Sequence, residues 1–184
     1  MRISIINFSG RHNGNCSDIA ELIEQSKHAE HETARYDMSA LDVTPCGKCG
    51  YNCFEDSTCC PYLNDDVYRI YSSICSSDLA YYIVPNYCDY PNAYFFIFNE
   101  RGQCFFRSSP DKLGQYLNTS KKFIVISNTG EENFRNILSD HISENSVLDI
   151  LFLSAKSFGV DSIGGGLIKS VEAKQILEEY MSRQ

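Results

Sequence analysis

The chain predicts an α/β fold: a parallel β-sheet with helices packed on both of its faces. Three observations carry this. Short apolar runs alternate with helix-period segments about five times along the sequence. The runs are apolar throughout rather than at every second residue, as strands buried on both faces are. The length of 184 residues suits one domain, able to bury roughly 70% of its unfolded surface without staples, so a single domain over residues 1–184 is expected.

The elements follow in order. Residues 2–8 (RISIINF) form an isoleucine-rich buried strand that ends in the polar turn SGRHNGNCS. From Ser17 a helix places Ile19, Leu22 and Ile23 on one face, with Asp18 in the first turn where the helix dipole favours an acid. Residues 33–37 are a second strand. Residues 39–63 hold five cysteines and two prolines with little periodicity, and read as a long specialised loop inserted into the domain. Asn64-Asp65-Asp66 supplies an N-cap for a helix through Val67, Ile70, Tyr71 and Ile74. Residues 78–84 form a third strand, stopped by Pro85. A helix over 92–101 follows, then a short one opened by Ser109-Pro110. Residues 121–127 are the fourth strand, 131–145 a helix, 147–153 the fifth strand and 168–182 the last helix, after the glycine triplet Gly164-Gly165-Gly166.

Charge and composition exclude several classes. Sixteen basic against 24 acidic residues give a net charge of −8, unlike a nucleic-acid binder with a concentrated basic face or a protein drawn to anionic lipid. No apolar run approaches the ~20 residues of a membrane span. Met1 to Asn7 lacks the apolar region and cleavage site of a signal peptide, so a cytoplasmic protein is expected. Nine cysteines in such a chain point to metal, cluster or redox chemistry rather than to a disulfide scaffold.

In a parallel sheet, ligands bind beyond the carboxyl ends of the strands, at the switch in strand order. The loop Ser9 to Ser17 suits an anion there. Ser9, Asn15 and Ser17 supply donors, Gly10 and Gly14 let the backbone present its N–H groups, Arg11 adds a charge, and a helix N-terminus lies behind. It matches neither G-x-x-x-x-G-K-S/T nor G-x-G-x-x-G, which disfavours an NTPase and a dinucleotide fold. A plain strand-to-helix turn has a similar composition. The loop Pro85-Asn86-Tyr87-Cys88-Asp89-Tyr90-Pro91 offers aromatics as a wall for a planar ring. Residues 81–106 hold ten of the 23 Phe and Tyr, and most of these must be core. Asn128-Thr129-Gly130 is a third polar loop after a strand.

Taken in order, SGRHNGNCS, PCGKCGYNCFEDSTCCPYLNDDV and IVPNYCDYP resemble the flavodoxin-like NAD(P)H-dependent FMN reductases, nearest to their iron–sulfur flavoprotein branch. The residues are Ser9, Arg11, Asn15 and Ser17; Cys46, Cys49, Cys53 and Cys59 with Asp65-Asp66; and Pro85 with Tyr87. Ile97-Phe98-Asn99-Glu100-Arg101 resembles the family's following helix. The resemblance covers roughly residues 1–130. It implies a flavodoxin-like three-layer sandwich with a five-stranded parallel sheet in the order 2-1-3-4-5. It also implies FMN, held by Ser9, Arg11, Asn15, Cys16 and Ser17 at the phosphate and by Pro85, Asn86, Tyr87, Cys88, Asp89, Asn128, Thr129 and Gly130 around the ring. Electrons would come from NAD(P)H or a redox protein partner, in a homodimer or homotetramer. No acid–base residue is required. The same residues suit an FMN electron carrier without NAD(P)H activity, and a flavin-free zinc or thiol module remains open.

Cys46, Cys49, Cys53 and Cys59 stand at C-x2-C-x3-C-x5-C, with Cys60 competing for the fourth place. The resemblance implies a 4Fe–4S cluster on these thiolates, although the family spaces the first three as C-x2-C-x2-C. Zinc, a Cys46–Cys49 disulfide and free thiols are the alternatives. Outside this segment, Cys16, Cys75, Cys88 and Cys104 read as small apolar residues, Cys88 lying nearest the expected ring.

Overall fold

The computed structural model describes residues 1–47 and 49–183. The strands are β1 (Arg2–Asn7), β2 (Glu32–Asp37), β3 (Leu79–Tyr87), β4 (Tyr90–Pro91), β5 (Ser120–Ile126) and β6 (Asp149–Leu153). The helices are α1 (Asn15–His28), α2 (Asp66–Ser76), α3 (Ala93–Ser108), α4 (Asp111–Asn118), α5 (Glu132–Ser139) and α6 (Val171–Ser182). Five strands pair in parallel in the order β2-β1-β3-β5-β6, and β4 pairs antiparallel with the end of β3. Without β4 this is the expected doubly wound order, with the switch at β1 and β3.

Side chains on successive strand residues point to opposite faces, and the sequence has assigned them different chemistry. On one face Ile3, Ile5, Ile83 and Ile124 meet Ile19, Ile23 and Leu177 of α1 and α6. On the other, Tyr82 and Phe123 meet Tyr71, Phe95, Phe98, Phe105, Tyr116 and Phe134 from α2, α3, α4 and α5. Tyr71 stacks on Phe98 with centroids 4.2 Å apart. Most aromatics of residues 81–106 are therefore core, as expected; Tyr87 and Tyr90 remain exposed.

Several boundaries differ from the sequence reading. Strand β3 runs through Pro85 to Tyr87, because β1 has already ended at Asn7 and the missing proline N–H leaves no gap in that ladder. Helix α3 continues to Ser108, carried by buried Phe105 and Cys104. Helix α5 stops at Ser139, and His141 turns inward to a buried position. Helix α6 begins at Val171 rather than at 168, with Ser170 as its N-cap; Ile168 lies in a preceding single turn. Asp65 caps α2, accepting from the Tyr68 N–H at 3.0 Å, as its sequence position predicts. The described residues of 41–65 contain only single helical turns, at Asn52–Phe54 and Ser57–Cys59, and lie over the aromatic face through Cys53 and Cys60. No described helix is long and apolar enough to cross a membrane.

Candidate cofactor site

The three expected loops converge on a cavity of about 430 Å³ beyond the carboxyl ends of β1, β3 and β5. Its lining includes Ser9, Arg11, Asn15, Cys16, Pro85, Asn86, Tyr87, Cys88, Asn128 and Thr129. Arg11 is the one charged residue among those that line it.

The first wall is the β1–α1 turn. The Asn7 side chain accepts from the Ser9 N–H (3.0 Å), and Ser9 Oγ accepts from the Arg11 N–H (3.1 Å). Gly14 precedes α1 at φ 129°, ψ −177°, a backbone conformation essentially reserved for glycine. This lets the chain enter the helix beside the cavity, which Gly14, Asn15 and Cys16 line. Asn15 is 2% exposed. Its Oδ1 accepts from the Leu167 N–H at 2.9 Å, but its Nδ2 has no partner. A buried amide donor without an acceptor costs on the order of 1–3 kcal/mol, and a bound anion would recover it. Cys16 is not a thiolate at this helix end: burial pushes its thiol up to about 12, outweighing Arg11.

The second wall is the β3–β4 hairpin. Tyr87 pairs with Tyr90 across Cys88 (φ 54°) and Asp89 (φ 67°), so a two-residue turn with both residues left-handed carries the chain back. The third wall is the β5 loop. Asn86 Nδ2 donates to Ser127 Oγ (2.6 Å) and to the Gly130 carbonyl (2.9 Å), and Thr129 Oγ1 donates to Asn86 Oδ1 (3.1 Å). These bonds join the second and third walls.

Three expected site residues sit behind the lining. Ser17 Oγ accepts from Asn7 Nδ2 and donates to the Arg11 carbonyl, bracing the first wall from inside. The Asp89 N–H donates to Thr129 Oγ1, its carboxylate accepts from Asn133, and a β-carbon on Gly130 would meet that carboxylate at 3.0 Å. Asp89 thus turns toward the β5 loop. Gly14 of the first loop lines the cavity as expected; Ile126, Ser162 and Ile163 line it without having been singled out. The Ile163 carbonyl takes the Arg11 guanidinium at 2.8 Å, and Asp18 Oδ2 accepts from the Gly166 N–H at 3.0 Å. The glycine triplet was the available signal: it lets residues 161–167 fold over the first wall.

The cysteine segment behaves differently. Arg101 of α3, fully buried, organises it. Its guanidinium donates to the Thr44 carbonyl (2.8 Å) and the Tyr62 carbonyl (3.4 Å), lies 2.7 Å from Asp65, and stands over the Tyr62 ring. Within the segment, Cys53 and Cys60 are buried against the aromatic core. Cys59 is exposed, and its S–H donates to Asp56; that hydrogen bond raises the thiol. Cys46 turns instead to Cys104, with the sulfurs 3.4 Å apart. Among the described residues no three Cys, His, Asp or Glu side chains gather as a metal site, so the expected set Cys46, Cys49, Cys53 and Cys59 does not converge. Spacing brings these thiols close along the chain, but burial and Asp56 turn them different ways.

No known protein family and no curated protein matches the chain in sequence. Solved structures match it in fold. The Trp repressor binding protein from Bacillus subtilis is 15% identical, with a TM-score of 0.62 over 99% of both chains. An NADH:FMN oxidoreductase in its apo form is 12% identical, with a TM-score of 0.58 over 98% of this chain and 86% of its own. The NAD(P)H:(acceptor) oxidoreductase FerB from Paracoccus denitrificans is 11% identical, with a TM-score of 0.57 over 98% and 94%. At these identities the likeness is one of fold: the chain has the flavodoxin-like architecture that the order of its strands predicts.

Proposed function

We propose that the cavity binds FMN and that the protein is an NAD(P)H-dependent flavin oxidoreductase. The observation that carries this is the unpartnered Nδ2 of buried Asn15 at the α1 N-terminus, where a phosphate would complete it. Two further features support it. The cavity volume of about 430 Å³ falls in the range of small-molecule sites. Two of the structures that share the fold are an NADH:FMN oxidoreductase and a flavoenzyme NAD(P)H:(acceptor) oxidoreductase.

The residues divide the work by chemistry. Ser9, Asn15 and the backbone N–H groups after Gly14 would hold the phosphate with neutral donors, and Arg11 would supply the single balancing charge. Pro85, Asn86, Tyr87, Cys88, Asn128 and Thr129 would flank the ring, the cross-bonded Asn86 and Thr129 keeping that edge rigid. Exposed Tyr87 would cover the ring's outer side and screen it from water. Bound FMN would supply two-electron chemistry, and the protein would orient it and tune it through nearby donors. The iron–sulfur cluster is not part of this proposal, which rests on the cavity alone; no group of three metal-ligating side chains gathers among the described residues.

Titration of purified, flavin-free protein with FMN tests the reading through quenching of flavin fluorescence. Saturable binding is expected. Asn15→Ala should weaken it about 10- to 100-fold, the loss of one hydrogen bond to a charged group. Absence of quenching by the unaltered protein would sink the proposal. NADH or NADPH oxidation with a quinone acceptor then separates a reductase from a plain carrier.

A further inference from the structure

Cys46 and Cys104 are 58 residues apart in sequence, yet their sulfurs lie 3.4 Å from one another, in contact and without a bond. Cys104 is 1% exposed on α3, while Cys46 is half-buried on the inserted segment and is the more accessible of the two. The pair is held in place from both sides. Cys104 lies three residues beyond Arg101, on the same face of α3, and Arg101 grips the Thr44 carbonyl two residues before Cys46. One helix face therefore fixes the segment and carries the thiol that meets it. A disulfide requires sulfurs about 2.05 Å apart. The remaining approach is on the order of 1 Å.

We infer that Cys46 and Cys104 form a redox dithiol, closing to a disulfide when a peroxide reaches Cys46. The Cys46 sulfur attacks a peroxide oxygen. The O–O bond breaks, water leaves with the thiol proton, and Cys46 becomes a sulfenic acid. The Cys104 sulfur then attacks the Cys46 sulfur. The S–S bond forms, the S–O bond breaks, and the hydroxyl departs as water with the Cys104 proton. Two thiols lose two electrons and hydrogen peroxide becomes two waters. The disulfide pins the inserted segment to α3, where Arg101 already ties it. The inference is independent of the flavin.

The sequence makes the test clean. Trypsin releases Cys46 in the peptide 36–48 and Cys104 in 102–107, each as its lone cysteine, while Cys49, Cys53, Cys59 and Cys60 all fall in 49–69. Full-length protein is treated with hydrogen peroxide, blocked with iodoacetamide under denaturing conditions, digested without reductant and analysed by mass spectrometry. The expected product is 36–48 joined to 102–107, two hydrogens lighter than the free pair and lost on adding dithiothreitol. Cys46→Ser and Cys104→Ser should each abolish it, and Cys59→Ser should leave it intact. Cys46→Ser changes the more accessible partner, so it serves if the buried replacement does not fold. Joining of 36–48 to 49–69, over-oxidation of Cys46 without a cross-link, or full alkylation of both cysteines would each overturn the inference.

Discussion

At the scale of single residues, the candidate site depends on one backbone conformation and one unpaired donor. Gly14 sits at φ 129°, and a β-carbon there would meet only ordinary van der Waals contacts, the nearest with the Ile163 carbonyl oxygen at 3.7 Å. Any cost of a side chain there is therefore a backbone cost, about 2 kcal/mol for this region. Gly14→Ala should lower the urea midpoint accordingly and weaken FMN binding, since the α1 N–H groups would be re-aimed. Unchanged stability would show that the turn relaxes without strain. Asn15 was legible as a donor in the sequence, because polar residues before a helix after a strand suit an anion. That its amide is both buried and unsatisfied was not legible: Leu167, 152 positions away, takes the other half of the side chain.

At the scale of elements, the inserted segment is the part that regular structure does not hold. Residues 41–65 make few ladder or helix bonds of their own, so the buried guanidinium of Arg101 substitutes for them at Thr44, Tyr62 and Asp65. Replacing it by glutamine leaves two carbonyls short of a donor and Asp65 without its counter-charge. Removing one partner of a buried pair costs 3–5 kcal/mol; because Asp65 is partly open to water, about 3 kcal/mol is expected for Arg101→Gln. The variant should melt earlier and be cut by protease within 41–65 first; an unaltered cleavage pattern would refute the anchoring role. The sequence marked this segment as special by its cysteines and prolines, but local spacing suggested that the thiols face one another. In the fold, Cys53 and Cys60 pack into the aromatic layer, Cys59 turns to Asp56, and Cys46 meets a helix thiol that had read as plain core.

At the scale of the whole molecule, the aromatic layer carries a pH dependence. His141 is buried against Tyr116, its Nδ1 2.6 Å from the phenol oxygen, and burial first and the Lys121 charge second lower its pKa from 6.5 to about 3. The folded protein therefore refuses a proton that the unfolded chain accepts. Stability from this group is complete above about pH 6.5 and drains away as the pH falls toward 3. Acidification from pH 7 to 5 should cost about 2 kcal/mol, a fall of roughly 4–8 °C in melting temperature. His141→Gln should flatten that slope, and a wild-type melting temperature independent of pH over this range would contradict it. The sequence by itself determined the architecture, because continuous apolar runs between helical repeats can bury both faces only as a parallel sheet with helices on each side. It also marked the three loops of the cavity, since strand–helix alternation places them at one edge of that sheet. Only the tertiary structure decided where helices end, how residues 161–167 close over the first wall, and which sulfur meets which. Those outcomes depend mainly on contacts between residues far apart along the chain, such as Cys46 with Cys104 and Asn15 with Leu167, and local residue spacing carries no information about them.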